Sequence, residues 1–295
     1  MLNFYQHLPS YIDPIAFSLG NFEIRWYALM YLAAFAIVYF LLMYRIEKQE
    51  FFGELQTTNH KPQTLILDFL LYAIVGLLIG ARLGYVLFYN LPYYLAHPLE
   101  AFLPIQVTGY GLRVTGFYGM SYFGGVIGII PAGIIFCKKY KINFWHLADF
   151  VAPAIPAGYF FGRLGNFLNG ELVGRATAKP WGMYFADGIL RHPSQLYEAF
   201  FEGLVLFVIL WILRNPKTSD VQQVKQTSDI RCPNGSLLLP YLFLYAFFRF
   251  FIEFLREPDP QVGLLFSWLT LSQFFSLLVM LLALLWVFLS RRRSY

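Results

Sequence analysis

The stretch "LILDFLLYAIVGLLIGARLGYVLFY", residues 65–89, decides the fold class. Asp68 and Arg82 are its charged residues, and the rest is almost entirely apolar. A helix that crosses the hydrocarbon core of a bilayer needs about 20 mostly apolar residues, so this stretch predicts a transmembrane span. Six further stretches have the same character: 24–44, 116–137, 147–165, 195–213, 237–255 and 264–290. The chain is therefore predicted to be an all-α polytopic membrane protein with about seven transmembrane helices.

The composition supports this interpretation. Of the 295 residues 58% are hydrophobic and only 13% are charged, whereas a soluble domain carries about a quarter charged residues. The cations are scattered between apolar runs, which argues against nucleic-acid binding. Two cysteines, Cys137 and Cys232, are too few for a disulfide framework. We expect residues 1–295 to form a single integral-membrane domain.

Lysine and arginine residues in the predicted loops set the orientation, because cytoplasmic loops carry an excess of them. One side holds thirteen: Arg45, Lys48, Lys61, Lys138, Lys139, Lys141, Arg214, Lys217, Lys225, Arg231, Arg291, Arg292 and Arg293. The other side holds five: Arg113, Arg175, Lys179, Arg191 and Arg256. This bias predicts an external amino terminus and a cytoplasmic carboxyl terminus.

In this orientation the polar residues of several spans gather near the outer leaflet. Arg82, Arg163 and Arg249 come late in spans that run outward, and Tyr27 comes early in a span that runs inward. Arginines at one depth repel each other unless an anion joins them, and a lipid phosphate is the expected anion. A transporter would place ionisable groups along a path to both faces. The one-sided charge therefore favours an enzyme or a lipid-binding site.

The sixth span carries Arg249, Glu253 and Arg256 at i, i+4 and i+7, which places them on one helix face. An arginine–glutamate pair there would orient one guanidinium and leave the other free for a ligand. The same triad also fits a purely structural role. Arg82, taken alone, could simply extend its charged end to the membrane–water interface. Tyr27 could simply be one of the aromatic residues that are enriched at that interface.

Other repeated features have structural explanations. Glycines at four-residue spacing predict close helix packing: Gly76, Gly80 and Gly84 in one span, and Gly124 and Gly128 in another. Asp68 and Asp149 are expected at helix termini or the interface. His97, His146 and His192 lack ligand spacing, so no metal site is predicted.

Six segments carry a resemblance to a known family. They are "FGRLGNFLNGELVGR" (161–175), "RWYALMYL" (25–32), "ARLGYVLFYN" (81–90), "YGMSYFGGVIG" (118–128), "HPSQLYE" (192–198) and "RFFIEFLREPD" (249–259). These segments are spread along most of the chain, and together they resemble those of the prolipoprotein diacylglyceryl transferases. That family has seven spans and an external amino terminus, as the hydropathy and loop charges independently predict here. The resemblance implies a location in the inner membrane of a bacterium, with the amino terminus in the periplasm and the carboxyl terminus in the cytoplasm.

The resemblance implies a reaction and its partners. The diacylglyceryl group of phosphatidylglycerol is transferred to the lipobox cysteine thiol in the signal peptide of a preprolipoprotein. The products are a thioether and glycerol-1-phosphate, and no metal or organic cofactor is required. The catalytic residues implied are Arg163, Arg249 and Glu253. The lipid-binding residues implied are Tyr27, Arg82, Asn166, Asn169, Glu171, Gly174, Tyr245 and Arg256.

One position departs from the family pattern. The family usually has a histidine, a candidate for activating the thiol, where this chain has Phe123. Phenylalanine cannot accept a proton, so Glu171, Tyr122, His192 or the arginine field would have to promote deprotonation. The alternatives are an impaired paralogue, or a phosphatidylglycerol-binding or transport protein of the same fold.

Overall fold

The computed structural model describes residues 2–20, 22–48, 61–88, 90–102, 105–108, 111–114, 119–214, 237–258, 264–265 and 268–292. The side chains of Arg113, Tyr122 and Phe123 lie outside the described part, as do Lys217, Lys225, Arg231, Cys232 and Arg293. The described chain is mostly helical. Its antiparallel strand pairs are short and local.

The helices are α1 Leu2–Gln6, α2 Leu8–Tyr11, α3 Trp26–Glu47, α4 Pro62–Phe88, α5 Leu91–Ala96, α6 Pro98–Phe102, α7 Tyr122–Tyr140, α8 Phe144–Val151, α9 Ile155–Leu168, α10 Ser194–Leu213, α11 Leu238–Ile252 and α12 Leu271–Arg292. Within α10, Ala199–Val205 is π-helical. The strands pair in sequence order: β1 Ile15–Leu19 with β2 Phe22–Arg25, β3 Ile105–Thr108 with β4 Gly111–Val114, β5 Met183–Tyr184 with β6 Leu190–Arg191, and β7 Leu264–Leu265 with β8 Leu269–Thr270.

Four of the described helices are long and apolar enough to cross a membrane: α3, α4, α10 and the Leu271–Leu289 part of α12. At 1.5 Å per residue, the 22 residues of α3 extend roughly 33 Å, about the thickness of the hydrocarbon core. Helix α11 is apolar but shorter. The helical, multi-pass character predicted from the sequence is confirmed.

The predicted span 147–165 is not one helix. Helix α8 ends at Val151 and α9 begins at Ile155, with a break at residues 152–154. Pro153 lies in the break and Pro156 in the first turn of α9, where its missing N–H breaks no helical hydrogen bond. The prolines therefore divide this segment rather than kinking a continuous helix.

Residues 43–147 form one compact unit, in which α4 and α7 approach through glycine. A Cβ added at Gly80 would lie 2.4 Å from the Gly124 carbonyl oxygen, and one at Gly128 would lie 2.2 Å from the Gly76 carbonyl oxygen. Real Cβ atoms do not approach so closely, so only glycine permits this contact. The close packing predicted from the four-residue spacing is confirmed.

Residues 1–42 and 148–295 form the other unit. Here α9 packs against α3 and α10. A Cβ at Gly165 would lie 3.1 Å from Cβ of Met30, and one at Gly203 would lie 2.8 Å from Cβ of Phe160. Small residues therefore set the distance between α9 and both neighbours.

Side-chain caps fix two helix starts in this unit. The Asp149 carboxylate accepts hydrogen bonds from the N–H groups of Leu237 and Leu238 at 3.0 and 2.8 Å, so α8 caps the start of α11. Asp149 thus acts at a helix terminus, as predicted. At the start of α12, the Thr270 hydroxyl accepts a hydrogen bond from the Gln273 N–H at 3.2 Å, and the Gln273 side-chain oxygen accepts one from the Thr270 N–H at 3.0 Å.

The segment between α9 and α10 folds into a small structured region. Phe167, Met183 and Phe185 form its buried core, and Leu8 and Ile12 of the amino-terminal segment pack against them. The His7 ring stacks on Tyr184 at a centroid distance of 4.6 Å. The amino-terminal residues before the first span therefore belong to this region.

Candidate active site

Glu198 is the centre of a buried ionic cluster. Its side chain has 0% exposure and contacts three arginines. Nε of Arg163 lies 2.7 Å from Oε2, while Nη1 of Arg249 and Nη1 of Arg256 lie 2.9 and 3.0 Å from Oε1. A charge this deep persists only when ion pairs and hydrogen bonds compensate it. The cluster is therefore a built arrangement and not an incidental surface pairing.

Three helices supply the cluster. Helix α9 presents Arg163 and, one turn earlier, Tyr159, whose ring lies 4.7 Å from the Arg163 guanidinium carbon. Helix α11 presents Arg249, and Glu253 follows immediately after the helix end, with 2.9 Å between Nη2 of Arg249 and Oε2 of Glu253. The i, i+4 pair expected from the sequence is confirmed.

Helix α10 contributes Glu198 and Glu202, one turn apart at its π-helical segment. The Tyr159 hydroxyl donates to the Glu202 carboxylate, and Arg249 Nη1 lies 3.9 Å from Glu202 Oε1. Neither glutamate was singled out from the sequence. The available signal was two carboxylates inside the predicted span 195–213, since ionisable residues within spans mark functional sites by default.

The sequence pointed to a lipid phosphate as the anion that offsets the repulsion between the arginines, and the structure places carboxylates of the chain itself beside them. Buried carboxylates of the chain itself provide the compensating charge: Glu198, Glu202 and Glu253 are at most 4% exposed. Arg256 does not lie on the same helix face as Arg249, as the i+7 spacing predicted, because α11 ends at Ile252. Arg256 instead joins the cluster by pairing with Glu198 of α10. Arg163 keeps one nitrogen, Nη2, without a hydrogen-bond partner among the described residues, since Nε faces Glu198 and Nη1 donates to Asn166 at 3.3 Å.

The loop after α9 is fastened to the start of α10. The Glu171 N–H donates to the Asn166 carbonyl oxygen at 3.0 Å, and the Gln195 amide donates to the Glu171 carbonyl oxygen at 2.5 Å. The Asn169 amide bonds the Glu171 carboxylate. Leu172 has φ +56°, a left-handed conformation unusual for a branched side chain, and Ser194 Oγ donates to its carbonyl oxygen at 3.0 Å. These bonds hold a strained loop in one shape.

Gly174 lies where two backbone segments converge. Its N–H donates to the His192 carbonyl oxygen at 3.0 Å, and it forms a β-bridge with Arg256. A Cβ there would lie 2.4 Å from the His192 carbonyl oxygen and 2.7 Å from the Leu255 carbonyl oxygen. Because both obstacles are backbone atoms, only glycine fits, and the bridge fixes the backbone that carries Arg256.

An open cleft of about 620 Å³ brings together three predicted lipid-binding residues: Tyr27, Asn169 and Glu171. Its other lining residues are Glu23, Ile24, Arg25, Ala28, Leu29 and Leu32. The Tyr27 hydroxyl donates to the Tyr31 hydroxyl at 3.0 Å. The Tyr27 hydroxyl also lies close enough to Arg163 and Glu171 to interact with both electrostatically. The cleft therefore combines an apolar wall, formed largely by α3, with a polar end beside the ionic cluster.

Tyr245, the next predicted lipid-binding residue, is not among the residues that line this cleft. Its ring lies 5.8 Å from the Tyr159 ring in an edge-to-face arrangement and 6.1 Å from the Tyr241 ring. It thus packs beside the aromatic ring that covers Arg163.

Arg82 belongs to the unit of residues 43–147, where its guanidinium bonds backbone carbonyls. Nε donates to Ala101 at 2.9 Å, Nη2 to Glu100 at 2.5 Å and Nη1 to Gly119 at 3.3 Å. The guanidinium carbon also lies 5.2 Å from the centroid of the Tyr94 ring. Through these contacts Arg82 holds the backbone near residues 100 and 119 against α4.

His192, a candidate proton acceptor, lies beside the Gly174 segment. Its Nδ1 is 3.2 Å from the Tyr197 hydroxyl. Burial, with a smaller contribution from the nearby Lys179 cation, lowers the pKa of His192 below its ordinary value of 6.5. The imidazole is therefore neutral near pH 7.

The fold and this site define a multi-pass membrane protein with a buried arginine–glutamate cluster next to an apolar cleft. The family model described as prolipoprotein diacylglyceryl transferase matches residues 14–289. The chain belongs to the prolipoprotein diacylglyceryl transferase family.

Individual relatives agree with this assignment. The phosphatidylglycerol–prolipoprotein diacylglyceryl transferase of Chlorobaculum tepidum is 44% identical over 273 residues, covering 91% of this chain and 86% of the relative. The protein of the same name from Desulfotalea psychrophila is 44% identical, covering 92% and 90%. That of Wolinella succinogenes is 40% identical, covering 98% and 97%.

Proposed function

We propose that this chain transfers the diacylglyceryl group of phosphatidylglycerol to the lipobox cysteine of preprolipoproteins, as the names of its relatives indicate for them. The observation that carries the proposal is the buried cluster of Arg163, Arg249 and Glu198 in a chain of this family. Both substrates are membrane-bound, which suits an apolar cleft with a polar end.

We further propose that the chain is a single integral-membrane domain with seven spans, a periplasmic amino terminus and a cytoplasmic carboxyl terminus. The loop charge bias supports this orientation. The helices that accompany the four long ones supply the remaining spans: α7, the α8–α9 pair and α11. The active site then faces the periplasmic leaflet of the inner membrane, where a secreted signal peptide presents its cysteine.

The cleft supplies the lipid site. Ile24, Leu29 and Leu32 offer apolar surface to the diacylglyceryl portion. Tyr27, Asn169 and Glu171 form the polar end and bind the glycerol headgroup. The bonds that tie the Asn166–Glu171 loop to Gln195 keep these side chains in place before the lipid arrives, which reduces the entropy lost on binding.

The arginines act on the leaving group. The substrate sulfur forms a bond to the glyceryl carbon while the bond from that carbon to the phosphate oxygen breaks. Glycerol-1-phosphate departs with the electron pair, and the thiol proton passes to a base. Arg163 directs Nη2 to the phosphate and Arg249 stabilises the developing charge, because prearranged donors in a dry site act strongly on such charge. Asn166, Glu198, Glu253 and Arg256 orient the two guanidinium groups.

The base is proposed to be Glu171. Its carboxylate lines the cleft, and the Asn169 amide orients it. His192 is the second candidate, since its neutral imidazole can accept a proton. Phe123 lies in the first turn of α7, and a phenylalanine cannot perform this step. Phe123→His raises the rate if deprotonation limits it, and leaves the rate unchanged if another group already performs the step.

The decisive experiment mixes the purified protein with phosphatidylglycerol and a lipobox peptide. We expect glycerol phosphate and thioether-linked peptide to appear in equal amounts. A peptide with serine in place of the cysteine is the control and yields neither product. A binding or transport protein releases no glycerol phosphate even with the cysteine peptide, and that result would reject the proposed reaction.

A further inference from the structure

Glu202 is the buried carboxylate of the cluster with the weakest charge compensation. Its side chain is 0% exposed, and its nearest guanidinium nitrogen, Arg249 Nη1, is 3.9 Å from Oε1. By contrast, Glu198 has guanidinium nitrogens at 2.7, 2.9 and 3.0 Å. Glu202 Oε1 accepts no hydrogen bond from the part of the chain that the structure describes. Oε2 of Glu198 and of Glu253 also lack well-aligned hydrogen bonds, but each lies within 3 Å of a guanidinium nitrogen.

Several charged or titratable groups surround Glu202. From α9 come Tyr159, whose hydroxyl donates to Oε2, and Arg163. From its own helix comes Glu198, one turn earlier. From α11 come Arg249, its partner Glu253, and Tyr245, which packs on Tyr159. Two carboxylates one helical turn apart in a dry site repel each other, so the better-paired one keeps its charge and the other takes a proton.

The cluster's net charge depends on that proton. Its members are three arginines (Arg163, Arg249 and Arg256) and three glutamates (Glu198, Glu202 and Glu253). With every glutamate ionised the cluster is neutral and attracts a phosphate weakly. With Glu202 protonated, one positive charge remains uncompensated. Burying a neutral acid beside a tyrosine hydroxyl also costs far less than burying a poorly paired carboxylate.

We propose that Glu202 is protonated in the resting protein, held by the Tyr159 hydroxyl, so that the cluster keeps one net positive charge for the phosphate of its substrate. Glu202 is then a positioning residue that acts through Arg249. The protonation state follows from the geometry alone, while its use for a phosphate rests on the proposed function.

The first test compares one substitution at two positions of the same helix. Glu202→Gln keeps the shape and the neutral state of the side chain but replaces the acid proton with an amide, so we expect its loss of glycerol-phosphate release to be at least about tenfold smaller than that of Glu198→Gln. Glu198→Gln removes the carboxylate that three arginines share, so we expect a loss of at least about a hundredfold. Equal losses in two variants of unchanged thermal stability would overturn the proposal.

The second test does not depend on activity. In nanodiscs, infrared spectra distinguish the carbonyl stretch of a protonated acid from the stretches of a carboxylate. We expect the wild-type protein at pH 7 to show a protonated-acid band that Glu202→Gln removes. Tyr159→Phe keeps the ring beside Arg163 but deletes the hydroxyl, so it shifts that band while retaining it.

The two tests separate the proposals. A band assigned to Glu202 in a protein that releases no glycerol phosphate supports the protonated state and rejects the proposed reaction. An active protein whose band does not change in Glu202→Gln overturns the protonated state and leaves the reaction standing. In that case Glu202 is ionised and the cluster is neutral.

Discussion

The tripeptide Arg-Leu-Gly occurs at residues 82–84 and again at 163–165, and the two arginines have different partners. Arg82 donates to the backbone carbonyls of Ala101, Glu100 and Gly119. Arg163 pairs with the buried carboxylate of Glu198 at 2.7 Å. The backbone carbonyls fix the Arg82 guanidinium against neighbouring segments of its own unit, whereas the Glu198 carboxylate pairs Arg163 with a charge on another helix. The same local sequence therefore ties a short helix and a neighbouring segment to α4 in one region and builds an ionic cluster in the other.

The regions also differ in how their helices meet. Helices α4 and α7 approach through Gly80 and Gly124, where backbone atoms meet directly. Helices α9, α10 and α11 are joined by Arg163, Glu198 and Arg249. Glycine contacts depend on shape and tolerate no added volume, whereas the ionic contacts depend on charge and geometry. Added side-chain volume should therefore disturb the glycine contact between α4 and α7 most, and changes of charge should disturb the ionic cluster most.

The largest expected effect comes from Arg163→Lys. Lysine keeps the charge but cannot reach Glu198 and Asn166 together through a planar fork, so glycerol-phosphate release should fall by at least about a hundredfold. Arg82→Lys is the matched change in the other region. It should mainly lower the Tm, because lysine reaches fewer of the carbonyls, and should reduce activity much less. Equal activity losses would remove the distinction between the two arginines.

Gly174→Ala should come next, with activity reduced roughly tenfold to a hundredfold. The new methyl group meets the backbone of His192 and Leu255, so the bridge to Arg256 must open. Gly162→Ala is the control, since a Cβ there meets nothing within 4 Å. Activity assays on both variants at equal expression would test this, and a normal rate for Gly174→Ala would show that the bridge does not position the cluster.

A volume change in the glycine contact should cost stability before activity. Gly124→Ala places a methyl group 2.4 Å from the Gly80 carbonyl oxygen, and should destabilise the fold by about 1–3 kcal/mol. Gly125→Ala, one residue away, meets side chains and backbone at an ordinary 3.5 Å and should stay within about 0.5 kcal/mol of wild type. Thermal unfolding in detergent measures both, and similar Tm values would argue against close packing at Gly124.

The smallest expected effect concerns His192. Because its folded pKa lies below 6.5, the unfolded chain binds its proton more readily. Its contribution to stability is therefore complete above about pH 7 and is lost as the pH falls through 6.5 toward the folded pKa. His192→Asn should flatten the decline of Tm between about pH 7 and pH 5 relative to wild type. If the Tm of the variant declined as steeply with falling pH as that of the wild type, the fold would not resist protonation of the His192 imidazole.

Several features of the fold and site followed from the sequence because their physical causes are local. Long apolar runs predicted α3, α4, α10 and α12, since a backbone in lipid must satisfy its hydrogen bonds within a helix. Helical spacing placed Arg249 beside Glu253, and the glycine spacing predicted close packing of α4 and α7.

The features that were missed depend on contacts between distant segments. The role of Glu198 arises only when α9, α10 and the end of α11 meet, and spacing within one helix cannot name such a partner. The small core of Phe167 and Met183 also includes contacts from residues before the first span, and hydropathy gives no sign that those residues pack there.

The cap that Asp149 places on α11 has a consequence for the order of synthesis. The acceptor precedes the capped N–H of Leu237 by 88 residues. A ribosome therefore completes α8, with its carboxylate, long before it produces α11. When α11 emerges, the partner for its first N–H groups already exists, so the start of this helix is defined by a part of the protein made earlier.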